Sequence, residues 1–128
     1  MVLGICVKEN NKLIGTVNIQ EFDWINRSCH VPILIGDKEE WSKGYATEAR
    51  MLALRFAFYE RGMKRVWATI IDTNIPSVKM HEKCGYKQEG VMRQSIFKDG
   101  AFHDQILMSI LKEEFDVVYA EYIKKFGL

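Results

Sequence analysis

Residues 39–50 read EEWSKGYATEAR. In this stretch Gly44, preceded by Lys43, stands just before a long run of helix-forming residues. The first four N–H groups of a helix have no intrahelical partner, and the helix dipole favours negative charge at that end. The stretch is therefore either a plain helix entry that glycine relieves or a binding site for an anion, and the rest of the chain distinguishes the two.

The composition predicts one globular domain over residues 1–128. The chain is 48% hydrophobic and 27% charged, with a formal net charge of +1. A general nucleic-acid surface needs a clustered basic patch, which this balance does not supply. The longest apolar run, residues 31–35, is far too short to span a bilayer. We therefore expect neither a nucleic-acid partner nor a membrane.

The cysteines indicate a reducing compartment. Cys6, Cys29 and Cys84 are odd in number and form no Cys-x-x-Cys pair, so neither a disulfide framework nor a zinc site is expected. Residues 1–7 lack the charged segment and cleavage site of a secretory signal. We expect a cytoplasmic protein that holds no metal.

Three strands are predicted in the first third of the chain, over residues 3–7, 13–22 and 28–35. Polar residues 9–12 between the first two strands indicate a hairpin turn. Pro32 lies inside the third strand and removes a ladder donor, so we expect it at an edge, at a bulge or where strands separate.

Helices and strands alternate after this point. We predict a helix over 46–60, a strand over 65–71 and a short helix from Asn74 to Cys84, capped by Asn74 and ended by Gly85. Asp-Gly at 99–100 predicts a hairpin between strands over 91–97 and 102–111. Residues 113–128 show helical spacing. The order β-β-β-α-β-α-β-β-α predicts a mixed α/β fold.

Two motifs carry a resemblance to a known family. Residues 41–46 (WSKGYA) follow a strand and open a helix, and residues 74–77 (NIPS) and 81–86 (HEKCGY) follow the next strand. Together they resemble the GNAT acetyl-CoA-dependent N-acetyltransferases, above all the branch that acetylates ribosomal-protein N-termini, diamines and amino sugars. The resemblance implies a mixed, mainly antiparallel sheet with a splayed central strand pair and flanking helices.

The resemblance also implies the coenzyme site. In the family, main-chain N–H groups of the first motif hold the pyrophosphate of coenzyme A, and the end of the preceding strand holds the pantetheine arm and polarises the thioester. Trp41 departs from the family's glutamine or arginine, a change that matters little where the main chain makes the contacts. The implied acetyl-CoA contacts are Ile33, Leu34, Ile35, Ser42, Lys43, Gly44, Tyr45, Ala46 and Thr47.

The second motif implies further contacts. Asn74 is expected to bond the pantetheine amide as well as to cap its own helix, and Ser77 and Lys83 are expected to face the same groove. Lys83 is then either a phosphate ligand or a solvated lysine. His103 and Asp104 lie near the acceptor side in relatives, with a structural role as the alternative.

The catalytic groups are two histidines at positions where the family has other residues. Many relatives carry a base glutamate where this chain has His30, and neutral histidine is a competent base near pH 7. A strand histidine without a role is the alternative. His81 stands where the family's acid is usually a tyrosine, so it either protonates the leaving thiolate or covers its helix. Cys84 is not expected to be a nucleophile.

The resemblance predicts an N-acetyltransferase that moves an acetyl group from acetyl-CoA directly to a primary amine of a peptide N-terminus, polyamine or amino sugar. Family members usually have one more strand and two helices ahead of the strand at residues 3–7, which form a wall of the acceptor site. Without that wall we expect the coenzyme half to be intact and the acceptor half to be in doubt. The alternatives are a non-catalytic acyl-CoA-binding module and an interaction module that forms a homodimer.

Overall fold

The computed structural model of the chain describes residues 1–41 and 43–126. These residues form two compact units, Met1–Val66 and Trp67–Leu128. Each unit combines antiparallel strands with helices, as predicted for a mixed α/β fold. The single domain over 1–128 stays a prediction.

The first unit contains two short antiparallel arrays. Its strands are β1 (Val2–Cys6), β2 (Leu13–Asn18), β3 (Gln20–Asp23), β4 (Ser28–His30) and β5 (Ile33–Ile35). β2 pairs with both β1 and β5, and β3 pairs with β4. The predicted hairpin between the first two strands is confirmed.

Both long strands predicted in this unit are interrupted, which corrects the sequence prediction. The strand predicted over 13–22 breaks at Ile19, and the one predicted over 28–35 breaks at Val31 and Pro32. Proline has no N–H to give to a ladder, so the break falls where the strand changes partners. The expectation that Pro32 marks a separation of strands is confirmed, because β4 pairs with β3 and β5 pairs with β2.

The first unit's helix is α1 (Tyr45–Arg55), which continues into a π-helical turn over Phe56–Glu60. The helix predicted over 46–60 is thus confirmed, and Gly62 follows it in the left-handed region at φ 71°. Met51, Leu54, Ala57 and Phe58 are buried along its inner face.

The second unit contains β6 (Arg65–Ile71, which begins two residues before the boundary), α2 (Ile75–Lys83), β7 (Lys87–Lys98), β8 (Ala101–Leu111) and α3 (Lys112–Phe126). β8 lies between β6 and β7 in the sheet order. The predicted Asp-Gly hairpin is confirmed, and both turn residues have positive φ. β7 starts four residues earlier than predicted. The last two residues of the helix predicted over 113–128 lie outside the described residues.

Gly85 ends α2 and also lets α3 approach. Its φ is +98°, and a Cβ atom there would lie 2.7 Å from Cγ2 of Val118 and 3.1 Å from Cδ1 of Ile110. Left-handed backbone disfavours any L-residue with a Cβ, and both neighbours are packed side chains. The position therefore requires glycine for two independent reasons.

We expect Gly85→Ala to lower the free energy of unfolding by roughly 2–4 kcal/mol, from left-handed strain and overpacking together. The control is Gly90→Ala on β7, where φ is not positive and nothing lies within 4 Å of the added Cβ. Urea unfolding of the two variants measures the difference. Equal losses would show that neither the left-handed φ nor α3 constrains position 85.

Candidate functional site

The start of α1 presents main-chain N–H groups at the position that the sequence indicated. Gly44 precedes the helix with φ 84° and ψ 1°, and the N–H of Glu48 donates to its carbonyl at 3.0 Å. Among the described residues no side chain caps this end. The N–H groups of Tyr45, Ala46 and Thr47 are therefore the orphan donors of the first turn, which is the arrangement that binds anions. Ser42, also predicted here, lies outside the described residues.

Two of the contacts in the loop ahead of Gly44 involve Trp41 and Lys43. The indole N–H of Trp41 donates to the carbonyl of Ile35 at 2.7 Å, which ties the loop to the end of β5. Nζ of Lys43 lies 3.1 Å from Oε2 of Glu40. The Lys43 side chain is half-exposed, so this ion pair contributes little to stability.

β5 has one strand edge that its own sheet leaves unpaired. Ile33, Leu34 and Ile35 pair with β2 along one edge, and β5 is the last strand of its three-stranded sheet. The main-chain groups of its second edge are therefore not used by that sheet. An extended amide-containing chain can bond such an edge in the manner of an added strand.

His30 is a half-buried histidine with two side-chain neighbours from β3. Its Nδ1 atom lies 3.4 Å from Oε2 of Glu21 and 3.4 Å from Nε2 of Gln20. Burial lowers the pKa of His30, the Glu21 carboxylate raises it in part, and Arg50 lowers it again. A folded-state pKa below the unfolded value near ~6.5 contributes stability above that pH and loses it as the pH falls through the folded pKa. His30 is neutral at pH 7.

Arg50 is a site residue that the sequence reasoning missed. It is 2% exposed, and its Nη1 donates to the carbonyl of Val31 at 2.9 Å. This carbonyl belongs to the break between β4 and β5, one residue after His30. The signal in the sequence was weak, because Arg50 and Arg55 flank the apolar run of α1 and only the buried one needs hydrogen-bonding partners inside the protein.

The first unit contains no thiol suited to act as a nucleophile next to His30. Burial raises the pKa of Cys29 to about 12, so this thiol stays protonated at neutral pH. Within residues 1–41 and 43–126 no three metal-binding side chains cluster. Over the same ranges no helix has the length and apolar character needed to cross a membrane.

A cavity of about 460 Å³ lies between β1 and α1. It is lined largely by apolar side chains, including Leu3, Val17, Leu52 and Phe56. Neither His30 nor the β5 residues line it. Tyr45, one of the predicted coenzyme contacts, does line the cavity.

In the second unit Asn74 caps α2. Its side-chain oxygen accepts the N–H of Ser77 at 3.3 Å, and the residue is exposed. The capping role expected for Asn74 is confirmed. This bond uses only the oxygen and not the carboxamide NH₂, and the contact of Asn74 with the pantetheine amide stays a prediction.

His81 is buried, whereas Lys83 is exposed. Nδ1–H of His81 donates to the carbonyl of Ser77 at 2.7 Å, and its ring meets the edge of Tyr86 at 4.9 Å between centroids. Residues four apart share a helix face, so Ser77 lies next to His81 and not next to Lys83, six residues on. These contacts fit the structural alternative, in which the His81 side chain packs over α2. The role of His81 as an acid stays a prediction.

His103 and Asp104 both contact neighbouring elements of the second unit. Nδ1 of His103 lies 3.8 Å from Oδ1 of Asp72. Oδ1 of Asp104 accepts the N–H of Gln94, a residue at φ 49° in the bulged part of β7. Asp104 therefore stabilises the hairpin, as its structural alternative predicted.

Comparison with known proteins agrees with this geometry. The model of the acetyltransferase (GNAT) domain matches residues 1–87. The chain belongs to the GNAT acetyltransferase family. It is 32% identical over 113 residues to the SPbeta prophage-derived uncharacterized N-acetyltransferase YokL of Bacillus subtilis, covering 88% of this chain and 63% of that protein.

Other GNAT relatives have named substrates. The chain is 28% identical over 103 residues to the spermidine N(1)-acetyltransferase of Vibrio cholerae, covering 80% of this chain and 59% of that protein. A crystal structure of the spermidine N-acetyltransferase from Vibrio cholerae in complex with CoA and spermine matches with a TM-score of 0.77 at 28% identity, over 82% of this chain and 62% of that one. This chain thus spans about three fifths of the length of these GNAT proteins.

The Asn74 cap generates a stability prediction for this GNAT chain. Asn74→Ala removes the acceptor for the N–H of Ser77, and we expect the free energy of unfolding to fall by about 1 kcal/mol. Asn74→Asp keeps a capping oxygen and is expected to stay within roughly 0.5 kcal/mol of the parent. Chemical denaturation measures both. A loss of the same size in the two variants would show that the cap is not what position 74 contributes.

Proposed function

We propose that this chain binds acetyl-CoA and transfers its acetyl group directly to a primary amine. The observation that carries the proposal is the left-handed Gly44 at the uncapped start of α1, in a chain of the GNAT family. The open turn and the N–H groups of Tyr45, Ala46 and Thr47 fit a pyrophosphate. Lys43 adds a positive charge beside them.

The acceptor amine must lose a proton before it attacks. An alkylamine with a pKa near ~10.4 is neutral in about one molecule in a few thousand at pH 7, a handicap of roughly 4–5 kcal/mol. His30 is neutral at this pH and is the last residue of β4, directly before the break that leads into β5. We assign it the role of proton acceptor, and the β5 main chain the task of orienting the thioester.

The acceptor class is a primary amine of a polyamine, peptide N-terminus or amino sugar. A polyamine is supported by the spermidine acetyltransferases among the relatives, one of which was crystallised with CoA and spermine. Cys6, Cys29 and Cys84 form no disulfide, which supports a reducing, cytoplasmic setting.

Calorimetric titration with acetyl-CoA tests the proposed pyrophosphate site at the start of α1 by comparing variants of two matched glycines. Gly44 (φ +84°) and Gly100 (φ +79°, at the hairpin tip) share a left-handed backbone, and among the described residues a Cβ at either meets nothing within 4 Å. Both alanine variants should lose roughly 1–2 kcal/mol of stability. We expect micromolar or tighter binding by the parent and by Gly100→Ala, and at least tenfold weaker binding by Gly44→Ala, because its methyl group and strained turn oppose a bound pyrophosphate.

Two results would contradict this assignment. A well-folded parent that does not bind acetyl-CoA would remove the transferase proposal. Equal affinity of the Gly44 and Gly100 variants would move the phosphate site away from α1.

Asn74→Asp adds a second probe of acetyl-CoA binding. It keeps the capping oxygen and loses the NH₂ donors, so we expect it to weaken binding without loss of stability.

The non-catalytic module is separated from the enzyme by release of free coenzyme A thiol. The parent is incubated with acetyl-CoA and a panel containing spermidine, an amino sugar and a peptide with a free N-terminus. The proposal predicts thiol release that depends on one class of amine. Binding without release for every amine would favour an acyl-CoA-binding module, and a dimer by light scattering that does not bind acetyl-CoA would favour the interaction module.

A further inference from the structure

The Nδ1 atom of His30 has two neighbours that require opposite protonation states of the ring. The amide Nε2 of Gln20 is a donor and needs a lone pair on Nδ1, whereas the Glu21 carboxylate needs a hydrogen there. Both atoms lie 3.4 Å from Nδ1. Since a ring nitrogen has one hydrogen or one lone pair, the two contacts compete for the tautomer of His30.

The two contacts to Nδ1 are possible because the backbone of β3 is irregular at Glu21. Gln20 is the cross-strand partner of His30, and the register shifts between Gln20 and Asp23. In a regular strand the next residue, Glu21, would point to the opposite face. Glu21 instead adopts φ 54°, which is uncommon for a residue other than glycine, and its carboxylate also reaches His30. Such strained positions cluster at functional sites.

The orientation of Gln20 is set from the other side. Nδ2 of Asn18 donates to Oε1 of Gln20, which leaves Nε2 of Gln20 directed toward the ring. The charged groups acting on His30 are Glu21 from β3 and Arg50 from α1, and the neighbouring Cys29 is uncharged. Of these two charged groups, Glu21 is the negative one and raises the pKa of His30.

We propose that Glu21 is a positioning residue that selects the Nδ1–H tautomer of His30 and so places the lone pair on Nε2 for proton transfer. This inference rests on the proposed acetyl transfer. In the step, Nε2 takes a proton from the acceptor ammonium, directly or through water. The amine nitrogen then forms its bond to the acetyl carbon and releases its second surplus proton to water, the carbon–sulfur bond breaks, and the departing thiolate takes a proton from the imidazolium or from water. The Glu21 carboxylate stabilises the imidazolium that forms.

The first test reads the tautomer directly. In the chain labelled with nitrogen-15, the side-chain nitrogen shifts of His30 report which nitrogen holds the hydrogen in the neutral ring. We expect Nδ1–H in the parent and a shift toward Nε2–H in Glu21→Gln, together with a lower pKa of His30. An Nε2–H ring in the parent would overturn the proposal. This readout needs neither acetyl-CoA nor an active enzyme.

The second test measures catalysis. With the amine that the panel identifies, Glu21→Gln should lower kcat about tenfold near pH 7 and move the acid limb of the pH–rate profile to lower pH. Glu21→Asp keeps the carboxylate and should stay closer to the parent. Glu121→Gln, which removes the same charge from an exposed position of α3, should match the parent.

The outcomes separate the two proposals. An active parent with an unchanged rate and pH profile in Glu21→Gln would overturn the role of Glu21 and leave the transferase in place. A parent that releases no thiol with any amine would overturn the proposed function and the catalytic role of Glu21 with it. The nitrogen shifts would still decide whether Glu21 selects the tautomer.

Discussion

The first unit is organised by the bond from the buried Arg50 guanidinium to the carbonyl of Val31. Pro32 breaks the strand beside that carbonyl, and a buried carbonyl outside the ladders needs a partner. A buried guanidinium likewise needs acceptors, and the carbonyl of Val31 supplies one for Nη1. The bond fixes α1 against the break between β4 and β5. It thereby sets the helix start at Gly44 relative to His30 on one side of the break and the β5 edge on the other.

The second unit depends on the two ends of the short helix α2. The side-chain oxygen of Asn74 caps its N-terminus. At the other end of the same helix, Gly85 permits both the left-handed turn and the approach of Val118. His81 links the two ends through the Ser77 carbonyl and the Tyr86 ring. The cap at Asn74, the turn at Gly85 and the contacts of His81 therefore hold the short helix in position.

Features set by local backbone chemistry could be predicted from the sequence. Gly44 before α1, the Asn74 cap and the Asp99–Gly100 turn each depend on a residue type whose preference is expressed within a few positions. The breaks at Ile19 and Val31 could not be predicted, because they depend on which strands pair across the sheet. Glu21 was missed for the same reason, since alternation along a strand assigns it to the wrong face until the left-handed residue is known.

The surroundings of Gly44 show what kind of requirement the helix start imposes. Among the described residues nothing lies within 4 Å of an added Cβ, yet φ is +84°. In the free chain, an L-residue at position 44 is therefore disfavoured by its chirality and not by the volume of its side chain. A D-amino acid would adopt this backbone as readily as glycine, whereas even the smallest chiral L-residue would not. Glycine is the only achiral amino acid that the ribosome incorporates. The limited set of encoded amino acids, as much as the shape of any ligand, therefore explains why this turn contains glycine.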